Sequence, residues 1–152
     1  MICITGVPGS GKSTICKEIV SSGYDCRNVL DLNGAASCLE DDEMDIDCLK
    51  EHVVANLNDD AIVEGHYSHL LGCSIVFIIE REEDLINKTL IGRGYPPEKI
   101  DENLDALRSD IIYQEALEFL PASRIHRIQV DEGNPGYAAK KIIQLMGHAK
   151  KD

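Results

Sequence analysis

Eight residues near the N-terminus, Gly6-Val7-Pro8-Gly9-Ser10-Gly11-Lys12-Ser13, constrain this chain more than any other stretch. They follow a short apolar run, residues 1 to 5, and precede a segment in which Ile15, Ile19 and Val20 recur at helical spacing. A strand that passes into a helix through such a turn makes an anion cradle. Its glycines let successive backbone N–H groups converge with no Cβ in the way, and the helix aims its positive end at the same point.

The spacing Gly-x-x-x-x-Gly-Lys-Ser assigns a separate task to each residue. Gly9, Ser10 and Gly11 supply the wrapping backbone, Lys12 carries a charge to the outer phosphates of ATP, and the Ser13 hydroxyl is placed for Mg²⁺. Thr14 adds a further donor near the inner phosphate. ATP and Mg²⁺ are therefore the expected ligands.

Beyond the cradle, strand and helix signals alternate. A short apolar segment around Val29 and Leu30 leads into a strongly acidic stretch, residues 39 to 47, which reads as a mobile insert before helical spacing resumes through Leu49, Val53, Val54 and Leu57. Residues 61 to 65 (AIVEG) and 74 to 79 (SIVFII) are β-branched runs without alternation, as buried parallel strands require. A helix is expected from Arg81 to Leu90, closed by Gly92 and Gly94, and a longer one from about Pro97 to Leu120. Residues 125 to 130 give a last strand, and Tyr137 to Met146 a last helix. No internal repeat interrupts the order, so a parallel sheet covered by helices on both faces is the expected architecture, built as one domain over residues 1 to 152.

Two further positions carry chemistry. Glu64 closes a buried strand, where a cradle of this kind draws its second magnesium ligand, and His66, two residues on, falls on the same side in extended chain. A neutral imidazole there can orient or deprotonate a nucleophile. Among six arginines, Arg93 lies between Gly92 and Gly94 in an interhelical loop able to swing over a nucleotide, with Arg108 a weaker candidate. His69, in the same loop as His66, reads as a surface residue.

The formal charge of -12 argues against broad binding to nucleic-acid backbones or anionic membranes, so any phosphate must be held locally. The absence of an 18-residue apolar run predicts a cytoplasmic protein. Six cysteines without any Cys-x-x-Cys pair read as small buried hydrophobes with free thiols.

With GVPGSGKST at the front, VEGHYSHLLG in the middle and GRGYPPEKIDENL after it, residues 1 to 120 resemble the adenylate kinase isoenzyme 6 family. The resemblance implies a P-loop kinase core of five parallel strands in the order 2-3-1-4-5. It also implies a nucleoside-monophosphate-binding insert over about residues 31 to 57 and a short lid over about 92 to 102. Adenylate kinase activity (ATP + AMP to 2 ADP) and ATPase activity would accompany it, with Lys12, His66 and Arg93 catalytic and Ser13 and Glu64 on the metal. A role in small-ribosomal-subunit assembly, through one of its proteins, is implied as well. Three departures stand out: Glu64 replaces the family's Asp, Thr89 stands where the family tends to have Arg, and the insert holds no arginine, Lys50 being its lone cation.

Overall fold

The computed structural model describes residues 1–131 and 134–151, with side chains through residue 147. Five parallel strands form the main sheet: β1 (Ile2–Thr5), β2 (Cys26–Asn28), β5 (Ile62–Glu64), β6 (Ile75–Glu80) and β7 (Ile125–Gln129). Their spatial order is β2-β5-β1-β6-β7. Counted along the main sheet alone this is 2-3-1-4-5, as expected. A separate hairpin, β3 (Leu39–Glu40) and β4 (Glu43–Met44), stands outside the sheet.

Alternate side chains of β1 point to opposite faces of the sheet, so its residues face two cores. Ile2 and Ile4 pack with Phe77 and Ile79 under helices α1 (Lys12–Ser21) and α6 (Pro135–Lys151). Cys3, Val76 and Ile78 face the opposite layer, made by α2 (Ile46–Asn56), α3 (Glu83–Gly92), α4 (Pro97–Ser109) and α5 (Ile111–Leu117). Each buried Ile, Leu or Phe contributes about 1.5–3 kcal/mol of transfer free energy, so the two layers hold the sheet's C-terminal edge rigid beneath the cradle.

Several expectations shift. The second strand lies three residues upstream of the Val29–Leu30 segment, which forms one turn of 3₁₀ helix capped by the Asn28 side chain. The helix expected from Pro97 to Leu120 breaks at Asp110, whose φ of 58° closes α4 and opens α5. Asp is among the few non-glycine residues that take this conformation readily, and its carboxylate is held by Arg127. The break turns Ile111 and Phe119 out to solvent.

The acidic stretch forms the β3–β4 hairpin, turning through Asp41 and Asp42 at φ 51° and 65°. Asp42 accepts an ion pair from Lys99 of α4 at 3.0 Å. The cysteines are paired and not free, as Cys3–Cys73, Cys16–Cys26 and Cys38–Cys48, with Cα–Cα separations of 5.5–5.9 Å. Folding brings α1 beside β2 and the turn before β3 beside the start of α2, and no spacing in the sequence announces either approach.

Candidate active site

The cradle follows β1 directly. Gly6, at φ 149°, passes so close to the sheet that a Cβ there would sit 2.7 Å from the carbonyl of Ile79, and Gly9, at φ 85°, lies against Leu90. Both positions therefore need glycine, one for the approach and both for the backbone. Gly11, also in the left-handed region at φ 102°, caps the N-terminus of α1.

Lys12 is only 9% exposed. Its Nζ donates to the carbonyls of Gly6 (2.8 Å) and Val7 (3.0 Å). Burial pushes its pKa from 10.5 down to about 8, opposed by Glu64 and assisted by Arg93. Both neighbours are thus electrically coupled to the ammonium.

Glu64 ends β5 in register with Ile4 of β1 and Asn28 of β2. It is 2% exposed, and Asn28 Nδ2 donates to its Oε1 at 2.7 Å. His66 lies just beyond, its Nδ1 3.1 Å from the Gly6 carbonyl. A carbonyl only accepts, so the proton sits on Nδ1 and the Nε2 lone pair is left open. Burial, more than the nearby Lys12, holds the His66 pKa below its usual value, which keeps the ring neutral at pH 7.

Lys12, Ser13, Glu64, His66 and Arg93 line one cleft of about 620 Å³. Leu39, Met44 and Leu49 of the insert form part of its wall, and Tyr95 and Lys99 close it from the other side. Gly9 and Gly11 line the cleft as well; Ser10 is fully buried below it, with its hydroxyl unpartnered, and Thr14 faces solvent on α1 outside the lining. Arg93 ends α3 on an exposed turn. Arg108 stays out of the cleft, paired with Glu83 and Asp105. Lys50 is likewise outside, so no cation of the insert faces the cleft among the described residues.

His69 corrects the surface reading. It is 3% exposed, with Nε2 3.2 Å from Glu115 of α5 and Nδ1 2.9 Å from the Thr5 hydroxyl. The carboxylate accepts from Nε2, and the Thr5 hydroxyl facing Nδ1 also lies 3.1 Å from the His66 carbonyl, so its one proton is shared between His69 and the His66 backbone. Three other contributors carry no sequence signal of their own. Asn28 ends β2, just before the apolar Val29–Leu30 segment that draws attention in the sequence. Arg81 braces the cradle from outside, donating to the Gly9 carbonyl and to Thr89 Oγ1, both at 3.1 Å. Thr89 thus serves as Arg81's acceptor. Lys99 reaches the cleft only because α4 folds back over it.

A parallel sheet in this order, whose first strand runs through a glycine turn into a buried lysine, defines the P-loop kinase fold. The shikimate kinase of Acinetobacter baumannii, solved with shikimate, shares it with a TM-score of 0.64 at 17% identity, over 99% of this chain and 94% of that one. A family model described as an AAA domain matches residues 2–110. Two proteins named "Putative adenylate kinase" align along nearly their whole length. The one from Thermoplasma acidophilum is 48% identical over 97% of each chain, and the one from Thermoplasma volcanium is 44% identical over 99% of this chain and 96% of its own. The chain belongs to the AAA-domain family, and it is an adenylate-kinase-like P-loop protein related to these two along its length. No helix among the described residues is long and apolar enough to cross a membrane.

Proposed function

We propose that this protein transfers the γ-phosphoryl group of ATP to a nucleoside monophosphate, with AMP the favoured acceptor. The observation that carries the reading is the convergence of Lys12, Glu64, His66 and Arg93 on one cleft large enough for nucleotide groups, walled by an insert on one side and a lid on the other. The adenylate kinase names of the two relatives favour adenine. On this reading the whole chain works as one unit, with the insert at 31–57, the lid at 92–102 and a cytoplasmic location.

The donor set fits magnesium: a hydroxyl at Ser13 and a buried carboxylate at Glu64, both in the lining. Bound there by Ser13 and Glu64, the ion would supply positive charge to offset that of the phosphates. Asn28 holds one Glu64 oxygen, which leaves the other for the ion.

Lys12 neutralises the transferring group from the cradle floor and Arg93 from the lid, whose glycines at 92 and 94 let the arginine turn inward. Lys99 supplies the positive charge near the acceptor phosphate that the insert lacks. His66, neutral and fixed through Nδ1, offers its Nε2 lone pair to orient a water beside the reacting phosphates; the nucleophile of transfer is an oxygen of the acceptor's own phosphate, already deprotonated and in no need of a base. Phosphoryl transfer then needs no covalent enzyme intermediate, only alignment and charge.

A second reading has specific support. The lack of an insert cation in the cleft and the open His66 Nε2 would also suit ATP hydrolysis in an assembly factor for the small ribosomal subunit, as in the isoenzyme 6 branch. A chromatographic product assay with Mg·ATP, alone and with each monophosphate, separates the two. ADP formed at twice the rate of ATP loss with AMP supports transfer. ADP plus phosphate unaffected by AMP refutes it.

A further inference from the structure

We infer that Cys38, Cys48 and His52 form a zinc site in the insert when the Cys38–Cys48 disulfide is reduced. Their three ligand atoms lie within 4.8 Å of one another. None of the three lines the cleft around Lys12.

The elements impose this arrangement. Cys48 and His52 are four residues apart on α2, so one turn stacks them on the same helix face. Cys38 ends the 3₁₀ turn Ala35–Cys38 and meets them from the preceding loop, its Cα 5.6 Å from that of Cys48. Gly34, at φ 83°, lies under the His52 ring; a Cβ there would come within 2.7 Å of Cε1. The ring is therefore seated against bare backbone, and neither of its nitrogens is committed to a hydrogen bond among the described residues.

Two thiolates and an imidazole are the donors that zinc selects, and two ligands spaced i, i+4 on a helix with a third from a preceding loop give a tetrahedral ion three of its four positions. Water takes the fourth. Glu40, Glu43 and Asp45 line a recess of about 370 Å³ with the two cysteines and add a negative field that favours a divalent cation.

The chemistry balances in two steps. A dithiol reductant passes two electrons to the Cys38–Cys48 bond and becomes a disulfide itself, leaving two thiols. Zinc then displaces two protons from those thiols to solvent and forms two Zn–S bonds and one Zn–N bond. The insert is tied in either state, by sulfur in one and by metal in the other, directly beside Leu39 and Leu49 of the cleft wall.

The test uses the full-length protein, reduced with a phosphine under argon, freed of reductant and titrated with Zn²⁺ or Co²⁺. One metal per chain is expected, with the near-ultraviolet charge-transfer absorption of a thiolate–Co²⁺ bond. Cys48→Ser and His52→Ala should each weaken binding by at least about ten-fold. The Cys16→Ser/Cys26→Ser double variant, which removes a different reduced pair, should bind as the parent does. His52→Ala removes only a half-buried side chain and keeps the test open if Cys48→Ser does not fold. The inference is overturned if the reduced protein retains no metal, if the oxidised protein binds equally well, or if binding is unchanged in Cys48→Ser or His52→Ala.

Discussion

Lys12 is held where its own protein would be more stable without its charge, and Lys12→Met tests this. The fall in pKa from 10.5 to about 8 corresponds to about 3 kcal/mol disfavouring the buried ammonium. Methionine is similar in length and uncharged but leaves the carbonyls of Gly6 and Val7 without their donor, at about 1 kcal/mol each. The net expectation at pH 7 is a gain of about 1 kcal/mol, or about 3 °C in Tm for a chain of this size. The unfolded chain keeps this proton up to pH 10.5 while the folded one releases it near 8. Between those values the unfolded state binds more protons, so parent stability rises with pH and the advantage of the variant disappears. Urea unfolding followed by circular dichroism at pH 7 and pH 10, without reductant, measures both ends. Turnover should meanwhile drop by about 10² to 10³. A variant less stable than the parent at pH 7, or an advantage that grows toward pH 10, would refute the argument.

The remaining expectations concern acid stability and the mouth of the cleft. His66, His69 and His126 all have pKa values lowered by burial, so the unfolded chain takes up these protons first as pH drops below 6.5. Their contribution is intact above that value and declines below it: the urea midpoint should fall between pH 7 and pH 5, with His69→Gln flattening the slope, and a flat parent profile would contradict the assignment. At the mouth, Asp42 occupies Lys99, and the pair is exposed enough that breaking it should leave stability nearly unchanged. If Lys99 serves the acceptor phosphate, Lys99→Ala raises the KM for AMP and Asp42→Asn lowers it. Equal effects in the same direction would show that the pair acts only as a latch.

What the sequence made legible was whatever local pattern encodes. The cradle, the run SIVFII and the Glu64-x-His66 spacing each carry their conformation within a few residues, and the structure places them in the sheet and in one cleft as read. What escaped depends on residues brought together from afar. His69 looked like one more polar loop residue because its partners, Thr5 and Glu115, lie 64 and 46 positions away. Arg81 reaches Gly9 across 72 positions. The cysteine pairs, separated by 70, 10 and 10 residues, fit no Cys-x-x-Cys motif, and the helix break at Asp110 has neither glycine nor proline to mark it. Tertiary context outweighed helical periodicity there because the Asp110 carboxylate is anchored by Arg127.

On the proposed function, a chain with a formal charge of -12 has to hold a polyanion, and the charge distribution is compatible with that. Beyond roughly 10 Å, salt screens the acidic surface, so affinity is decided by what lies inside that radius. There the cleft offers Lys12, Arg93 and Lys99 against Glu64, Asp42 and Glu102, together with the N-terminal end of α1. Asp42 already spends its charge on Lys99, and Glu64 is the proposed metal ligand. A magnesium ion on Glu64 would therefore leave the lysine and arginine free to face phosphate, and the site would become attractive to ATP mainly as its metal complex. The same acidic exterior raises the barrier to long nucleic acids, whose many phosphates cannot all reach one recessed cleft. On the proposed function, a preference for a compact phosphate ester would follow from recessing a few cations inside a negative shell.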